Sequence, residues 1–366
     1  MFRCLAALTL IACSSESTLA SLTTPAATPT GEAWVSDLAF FQAVEVPVLS
    51  EGQVVPATDR NAPLVVGRQA VVRAHLDPAE GWSGSDVRLE LDLTSGGATR
   101  TFTALGGPGD LVVEVPADAM TEDATWSARL VDDGTVVQAL PASGPALLDA
   151  MVTGPLRVHL VPFEVDGFVP DTSPAVVDGY RAALMAVYPV TDVQLDVGPV
   201  EVWSGAFDLG DINVRVGQIQ EEAMFAGDVP WNVYYYGMAT GVSSRDDYDG
   251  ITGTSEDGGD EAPVRAYFAA GAAFGDQRSE DTLIHEIGHT HRLEHAPCGG
   301  ASDADPDFPY ADGVIGVEGY DLRTKSFVPA DHADMMGYCY PRWISDHNYA
   351  RLAEHVANAQ DYAGYE

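Results

Sequence analysis

The stretch His285-Glu286-Ile287-Gly288-His289-Thr290-His291-Arg292-Leu293-Glu294-His295 places four histidines and two glutamates within eleven residues. His285 and His289 are four apart. On a helix that spacing puts both imidazoles on one face, one turn apart, where they can grip a single cation. The flanking residues predict such a helix. Ser279 is placed to cap it, Glu280 and Asp281 sit in its first turn and complement its dipole, and Leu283, Ile284 and Ile287 form its buried side.

His295 follows His289 by six residues, so a continuing helix carries it away. It joins the pair only if the helix ends and the chain turns back. His291 is two residues past His289 and faces away on a helix, and Glu294 is a weaker third donor still. With His285, His289 and His295 converging, three neutral imidazoles make a tetrahedral zinc site with its fourth position open to water. Zinc brings the pKa of that water toward neutrality. Glu286 is then placed to take the proton during attack on a carbonyl and to return it to a leaving amine. The implied chemistry is metal-assisted peptide hydrolysis with one catalytic Zn2+.

The rest of the chain sets the context. Among 366 residues there are 18 Lys and Arg against 55 Asp and Glu, a formal charge of −37. No basic surface is available to neutralise phosphates, so no nucleic-acid partner is expected. With 46% hydrophobic and 20% charged residues, material for a core is ample. Met1-Phe2-Arg3, an apolar run over 4–12 and then Cys13 read as an export signal over 1–13. The run is too short to span a bilayer. Leu10-Ile11-Ala12-Cys13 resembles the bacterial lipobox, which implies lipidation of Cys13. The expected location is therefore the cell envelope, outer membrane or surface, or the medium, with membrane contact only through that anchor. Residues 14–32, rich in Ser, Thr, Ala and Pro, read as a flexible tether. Two further cysteines, Cys298 and Cys339, fall in an exported body, where a disulfide between them is the natural inference.

Residues 33–150 read as an all-β antiparallel sandwich, an accessory domain without a cluster of reactive side chains. Strands are expected at 65–76, 86–93 and 111–115, and 126–131 and 135–140 form a hairpin across Asp132-Asp133-Gly134. After a boundary in 141–154 the pattern becomes an α/β mixture. Strands are expected at 156–163, 193–197, 231–236 and 264–270. A helix starts at Ser173-Pro174 and stops before Pro189, and a last one starts at Ser345 and runs to about Asn358. Asp246-Asp247-Tyr248-Asp249-Gly250 and Asp303-Ala304-Asp305-Pro306-Asp307 have a composition that suits Ca2+. Neither carries the twelve-residue EF-hand pattern, and both read as solvated surface.

The histidine stretch resembles the metzincin clan of zinc endopeptidases, whose motif His-Glu-x-x-His-x-x-Gly-x-x-His is followed by a turn containing Met. Asp334-Met335-Met336-Gly337-Tyr338-Cys339 supplies such a turn, and Met336-Gly337-Tyr338 is similar to the Met-x-Tyr of the astacin-like and serralysin-like branches. The resemblance implies that Met336 floors the metal site and that Tyr338 is an auxiliary ligand or a donor to the oxyanion. Segments 296–300 and 337–346 look like those of exported bacterial metzincins, some of them mucin-cleaving. This implies that the Cys298–Cys339 bridge clips the third-ligand loop to the turn, that strand 264–270 is a sheet edge pairing with extended substrate, and that substrates are extracellular proteins or glycoproteins. Arg292 stands where the motif has its left-handed Gly, at a cost of about 1–2 kcal/mol. The expected architecture is multidomain, with the sandwich followed by an α+β metzincin-like zinc protease domain over 155–366. Two other functions fit the same residues: a non-catalytic surface-binding lipoprotein with a structural zinc, and a zinc amidase.

Overall fold

The structure, a computed structural model, describes residues 33–80, 82, 87–106, 109–256 and 267–361. The leader with Cys13, the tether, and residues 264–266 of the expected strand lie outside the described residues. Among the described residues no helix is long and apolar enough to cross a membrane.

Strands Val87–Ser95 and Thr125–Asp132 alternate buried and partly exposed side chains, as a period-two pattern requires when one face meets a core. They belong to one of two antiparallel five-stranded sheets built from the first part of the chain. The inward residues of both, such as Phe40 and Val72 from one and Leu91 and Trp126 from the other, join one buried cluster. The expected hairpin forms, and positive φ at Asp133 (44°) and Gly134 (75°) suits the tight primed turn that matches strand twist. The strand expected at 65–76 begins only at Ala70. The preceding segment runs instead into the other half of the molecule, through Arg68.

That arginine is fully buried and has no carboxylate partner among the described residues. Its guanidinium donates to the carbonyls of Met185 (2.8 Å), Ala186 (3.1 Å) and Val190 (3.3 Å). The first two close helix α1 (Pro174–Val187), whose last carbonyls have no partner within the helix. Trp343 Nε1 donates to the Ala43 carbonyl at 2.9 Å, and the Glu45 amide to that of Glu318 at 2.9 Å. One apolar cluster runs through both parts, from Val35 to Val356.

The largest of the other sheets has six strands, with Leu156–Val165 and Val233–Ala239 at its centre. Every residue of the second is buried, as expected when helices cover both faces. Tyr234 and Tyr236 point toward α1 and α3 (Gln277–Thr290), whereas Val233 and Tyr235 point toward α2 (Leu209–Ala226). Helix α4 (Asp346–Gln360) contributes Leu352 and Val356 to the larger cluster. The strand expected at 264–270 is seen as Phe268–Ala272 and is not an edge. A short antiparallel strand, Gly253–Ser255, pairs outside it and forms the edge. No apolar periodicity announces three residues of Gly, Thr and Ser, so that strand carries no signal of its own.

Candidate metal centre

Helix α3 starts one turn earlier than the sequence implies. Asp276, not Ser279, is its N-cap, accepting the Ser279 amide at 2.9 Å. Arg245 grips the Asp276 carboxylate with Nε at 2.5 Å and Nη2 at 2.7 Å. Burial opposes ionisation of Asp276, but the Arg245 and Ser279 bonds outweigh it and hold the carboxyl down at about 2. A depressed folded pKa gives stability that is present above the ordinary carboxylate value and lost as pH falls toward 2. In Asp276→Asn, which keeps the cap and removes the charge, the dependence of Tm on pH between about 4 and 2 should flatten relative to wild type.

At the other end, α3 stops at Thr290 with His291 as C-cap and Arg292 at φ 62°. The Arg292 amide bonds to the His289 carbonyl (2.7 Å) and the Leu293 amide to that of Gly288 (3.1 Å), which is the Schellman closure. Arg292 thus takes the left-handed conformation that the motif's Gly would take, and the chain turns back despite the side chain. Arg292→Gly should keep the turn and raise stability by about 0.5–1 kcal/mol, the relief of left-handed strain less the entropy lost by glycine. Thermal melts of the two proteins check it.

The turn brings His295 to the pair. His289 Nε2 lies 3.0 Å from His285 Nε2 and 3.1 Å from His295 Nε2. A tetrahedral centre with metal–nitrogen bonds of about 2 Å needs its nitrogens about 3.3 Å apart. The other ring nitrogens settle the tautomers. His285 Nδ1 donates to the Met335 carbonyl (2.9 Å), His289 Nδ1 to that of Leu293 (2.7 Å), and His295 Nδ1 to that of Ser302 (2.7 Å). A carbonyl only accepts, so each Nδ1 carries the proton and each Nε2 presents a lone pair. Three lone pairs aimed at one point repel one another, and a cation relieves that. Carbonyl-fixed tautomers are also the usual support of metal-binding imidazoles. The donor set therefore fits zinc. Among the described residues no other set of three His, Cys, Asp or Glu converges in this way.

Glu286 lies beside the trio, 6% exposed, and burial pushes its carboxyl up to about 8 against a Ser255 hydrogen bond that lowers it. A divalent cation nearby favours the ionised form. The edge strand touches this carboxyl: a Cβ on Gly253 would come within 2.3 Å of Glu286 Oε1, so only glycine fits. His291 is excluded from the trio, as its position implies. It is buried, stacks on Tyr234 at 4.5 Å between centroids, and is pushed down to about 4 by burial.

The turn expected at 334–339 lies under and beside the histidines. Met336 is fully buried beneath α3, where a Cβ on Gly288 would reach its Sδ within 2.6 Å. Tyr338 donates its hydroxyl to His295 Nε2 at 3.1 Å, the same nitrogen that faces the other two imidazoles. Cys298 and Cys339 form a disulfide with Cα atoms 5.7 Å apart. Two backbone bonds run parallel to it, Ala296 amide to Met336 carbonyl (3.2 Å) and Tyr338 amide to Cys298 carbonyl (3.0 Å).

Two supports escaped the sequence reading. Buried Asp334 accepts from the amides of Met336 and Ser345 and from Asn348 Nδ2, tying the turn to the start of α4. Asp305, taken from sequence as solvated, is buried and paired with Arg351 (2.5 Å) and His347 (3.0 Å), while its amide bonds to the His295 carbonyl. A carboxylate already neutralised by Arg351 is not a calcium ligand, so that loop braces His295 instead. The Asp305-Pro306-Asp307 spacing, an Asx turn with the Asp307 amide on Asp305, was the one local signal.

The three imidazoles, Glu286, Tyr338 and the edge strand line a cleft of about 740 Å³. Residues 256–350, which hold all of these but the edge strand, match the sequence model of a family described as Peptidase M66. The match supports a peptidase, a hydrolase of a metallopeptidase family. No curated protein matches the chain. A solved structure titled "Structure of a chaperone-substrate complex" is similar at 14% identity and a TM-score of 0.30, over 70% of this chain and 39% of that one. The chain thus spans well under half of that relative's length, and a likeness this weak carries no argument.

Proposed function

We propose that the chain is an exported zinc-dependent endopeptidase of metzincin type, acting on extracellular proteins or glycoproteins. The observation that carries this is the convergence of three carbonyl-oriented Nε2 lone pairs beside a buried carboxyl, in a cleft bordered by the strand that forms the sheet edge among the described residues. His285, His289 and His295 would hold the ion. When bound, zinc supplies a Lewis acid that allows water to attack a carbonyl at neutral pH. Glu286 takes the proton of the attacking water and returns it to the leaving amine. Tyr338, whose hydroxyl already points at the histidine cluster, donates to the oxygen on which charge develops. The open side of Gly253–Ser255 offers backbone groups to an extended substrate. The part over 33–150 serves as an accessory domain, and Cys13 anchors the chain to the envelope.

The test combines metal analysis with hydrolysis. The purified protein should hold one zinc per chain and digest casein or gelatin. A chelator should stop digestion, and added zinc should restore it. His295→Ala should lose zinc and activity together, and retention of both would remove that histidine from the site. Products bearing new amino termini within the chain separate an endopeptidase from an amidase.

A further inference from the structure

The cleft is electrostatically unlike the molecule around it. Its lining contains Arg245, Arg278 and Arg342, and Glu286 is its sole carboxylate among the described residues, in a chain of formal charge −37. Arg245 is committed to Asp276. The other two are not. Arg278 is exposed, and among the described residues its guanidinium has no ion-pair or hydrogen-bond partner. With acids outnumbering bases three to one, a cation left unpaired inside the cleft is the exception. Arg342 is held by Nε on the Cys339 carbonyl (3.0 Å) and lies over the Tyr340 ring at 4.2 Å, which orients its other nitrogens without neutralising them. Asp281 feels its charge but forms no ion pair with it.

Their placement is set by the fold. Arg278, Thr282, His285 and His289 follow at spacings of four, three and four on α3, so they share the face that lines the cleft. Arg278 is seven residues before His285, about 10 Å along the axis. For a peptide extended along α3, advancing about 3.3 Å per residue, Arg278 would lie two or three residues from a bond cleaved beside His285. Arg342 lines the same cleft, with Tyr338 and Tyr340.

We propose that Arg278 and Arg342 make this cleft select substrate segments that carry a carboxylate two or three residues from the scissile bond. This rests on the peptidase reading. A protein so acidic repels acidic substrates, and two guanidiniums without a carboxylate partner among the described residues reverse that field locally while giving a carboxylate its forked partners. The carboxylate can belong to an Asp or Glu side chain or to an acidic sugar on the chain.

The test uses the zinc-loaded protein and pairs of peptides that differ by Glu against Gln at each of three positions on either side of the cleaved bond. A matched pair of glycopeptides with and without a terminal acidic sugar separates the two sources. The wild type should favour the anionic member by about tenfold in kcat/KM at one or two positions, and less in 1 M salt. In Arg278→Gln and in Arg342→Gln that ratio should fall toward one, with zinc content and Tm as checks on folding. The same pairs are titrated calorimetrically into zinc-loaded Glu286→Gln, which reports selection without cleavage. A ratio near one in both the kinetic and binding arms overturns the proposal while leaving the peptidase intact. A ratio that survives in Arg278→Gln/Arg342→Gln removes the two arginines from it. Anionic selection in binding without cleavage of any peptide supports the proposal and overturns the peptidase reading.

Discussion

Glu286→Gln keeps its zinc and loses its hydrolysis: the variant should carry the wild-type metal content, while kcat falls roughly a hundred- to ten-thousand-fold. The two halves of this result come from separate atoms. Metal affinity would reside in three Nε2 lone pairs, each aimed by an Nδ1 bond to a carbonyl on a different segment, and none of those bonds involves Glu286. The amide replaces the carboxyl at equal size in a pocket walled by Gly253 and Ser255, so packing is preserved. What disappears is the one group beside the trio able to hold a proton and release it. Metal analysis and casein digestion on the same preparation check both halves. Equal digestion by variant and wild type would end the peptidase reading and leave zinc as a structural ion.

Replacing both Cys298 and Cys339 by Ser should cost about 4 kcal/mol on the chain-entropy model for a loop of this length, whose cysteines are 41 residues apart. Both are changed because a lone thiol beside the histidines would be a new zinc ligand. The damage should be local as well as global. The bridge joins the segment that carries His295 to the turn that carries Tyr338, and Gly299 packs so tightly that a Cβ there would approach the Tyr338 Cβ within 2.7 Å. The variant should therefore melt lower and surrender zinc to weaker chelators, with activity reduced before folding is lost. Two backbone bonds and the Asp334 ties remain, so the site loosens and is not abolished. Unchanged zinc affinity would show that those ties hold the turn without help.

Much of the site was legible because its signals are local. The spacing of His285 and His289 has one meaning on a helix, and a hydrophobic stripe with acidic residues ahead of it places that helix. The correction of its cap from Ser279 to Asp276 shows the limit of such signals. Both residues can cap, and the choice was made by Arg245, 31 residues upstream, which neutralises Asp276. The edge strand Gly253–Ser255 was invisible because its residues are chosen for thinness against Glu286 and not for burial. Asp305 was read as a surface acid, and the role of Asp334 was not read at all, because charge alone does not show whether a partner will arrive from α4.

The order of residues along the chain determined the donor set, the helix that holds two of the donors, the alternation of the β half and the pair of cysteines. Each depends on neighbours within a few residues or on residue type, which is information that the chain carries before it folds. Tertiary structure alone decided that the chain turns back far enough to bring His295 to the pair, that Tyr338 reaches its Nε2, and which carbonyls fix the three tautomers. Those acceptors are backbone oxygens of Met335, Leu293 and Ser302, a group that every residue possesses, so only their arrival at the right distance distinguishes them.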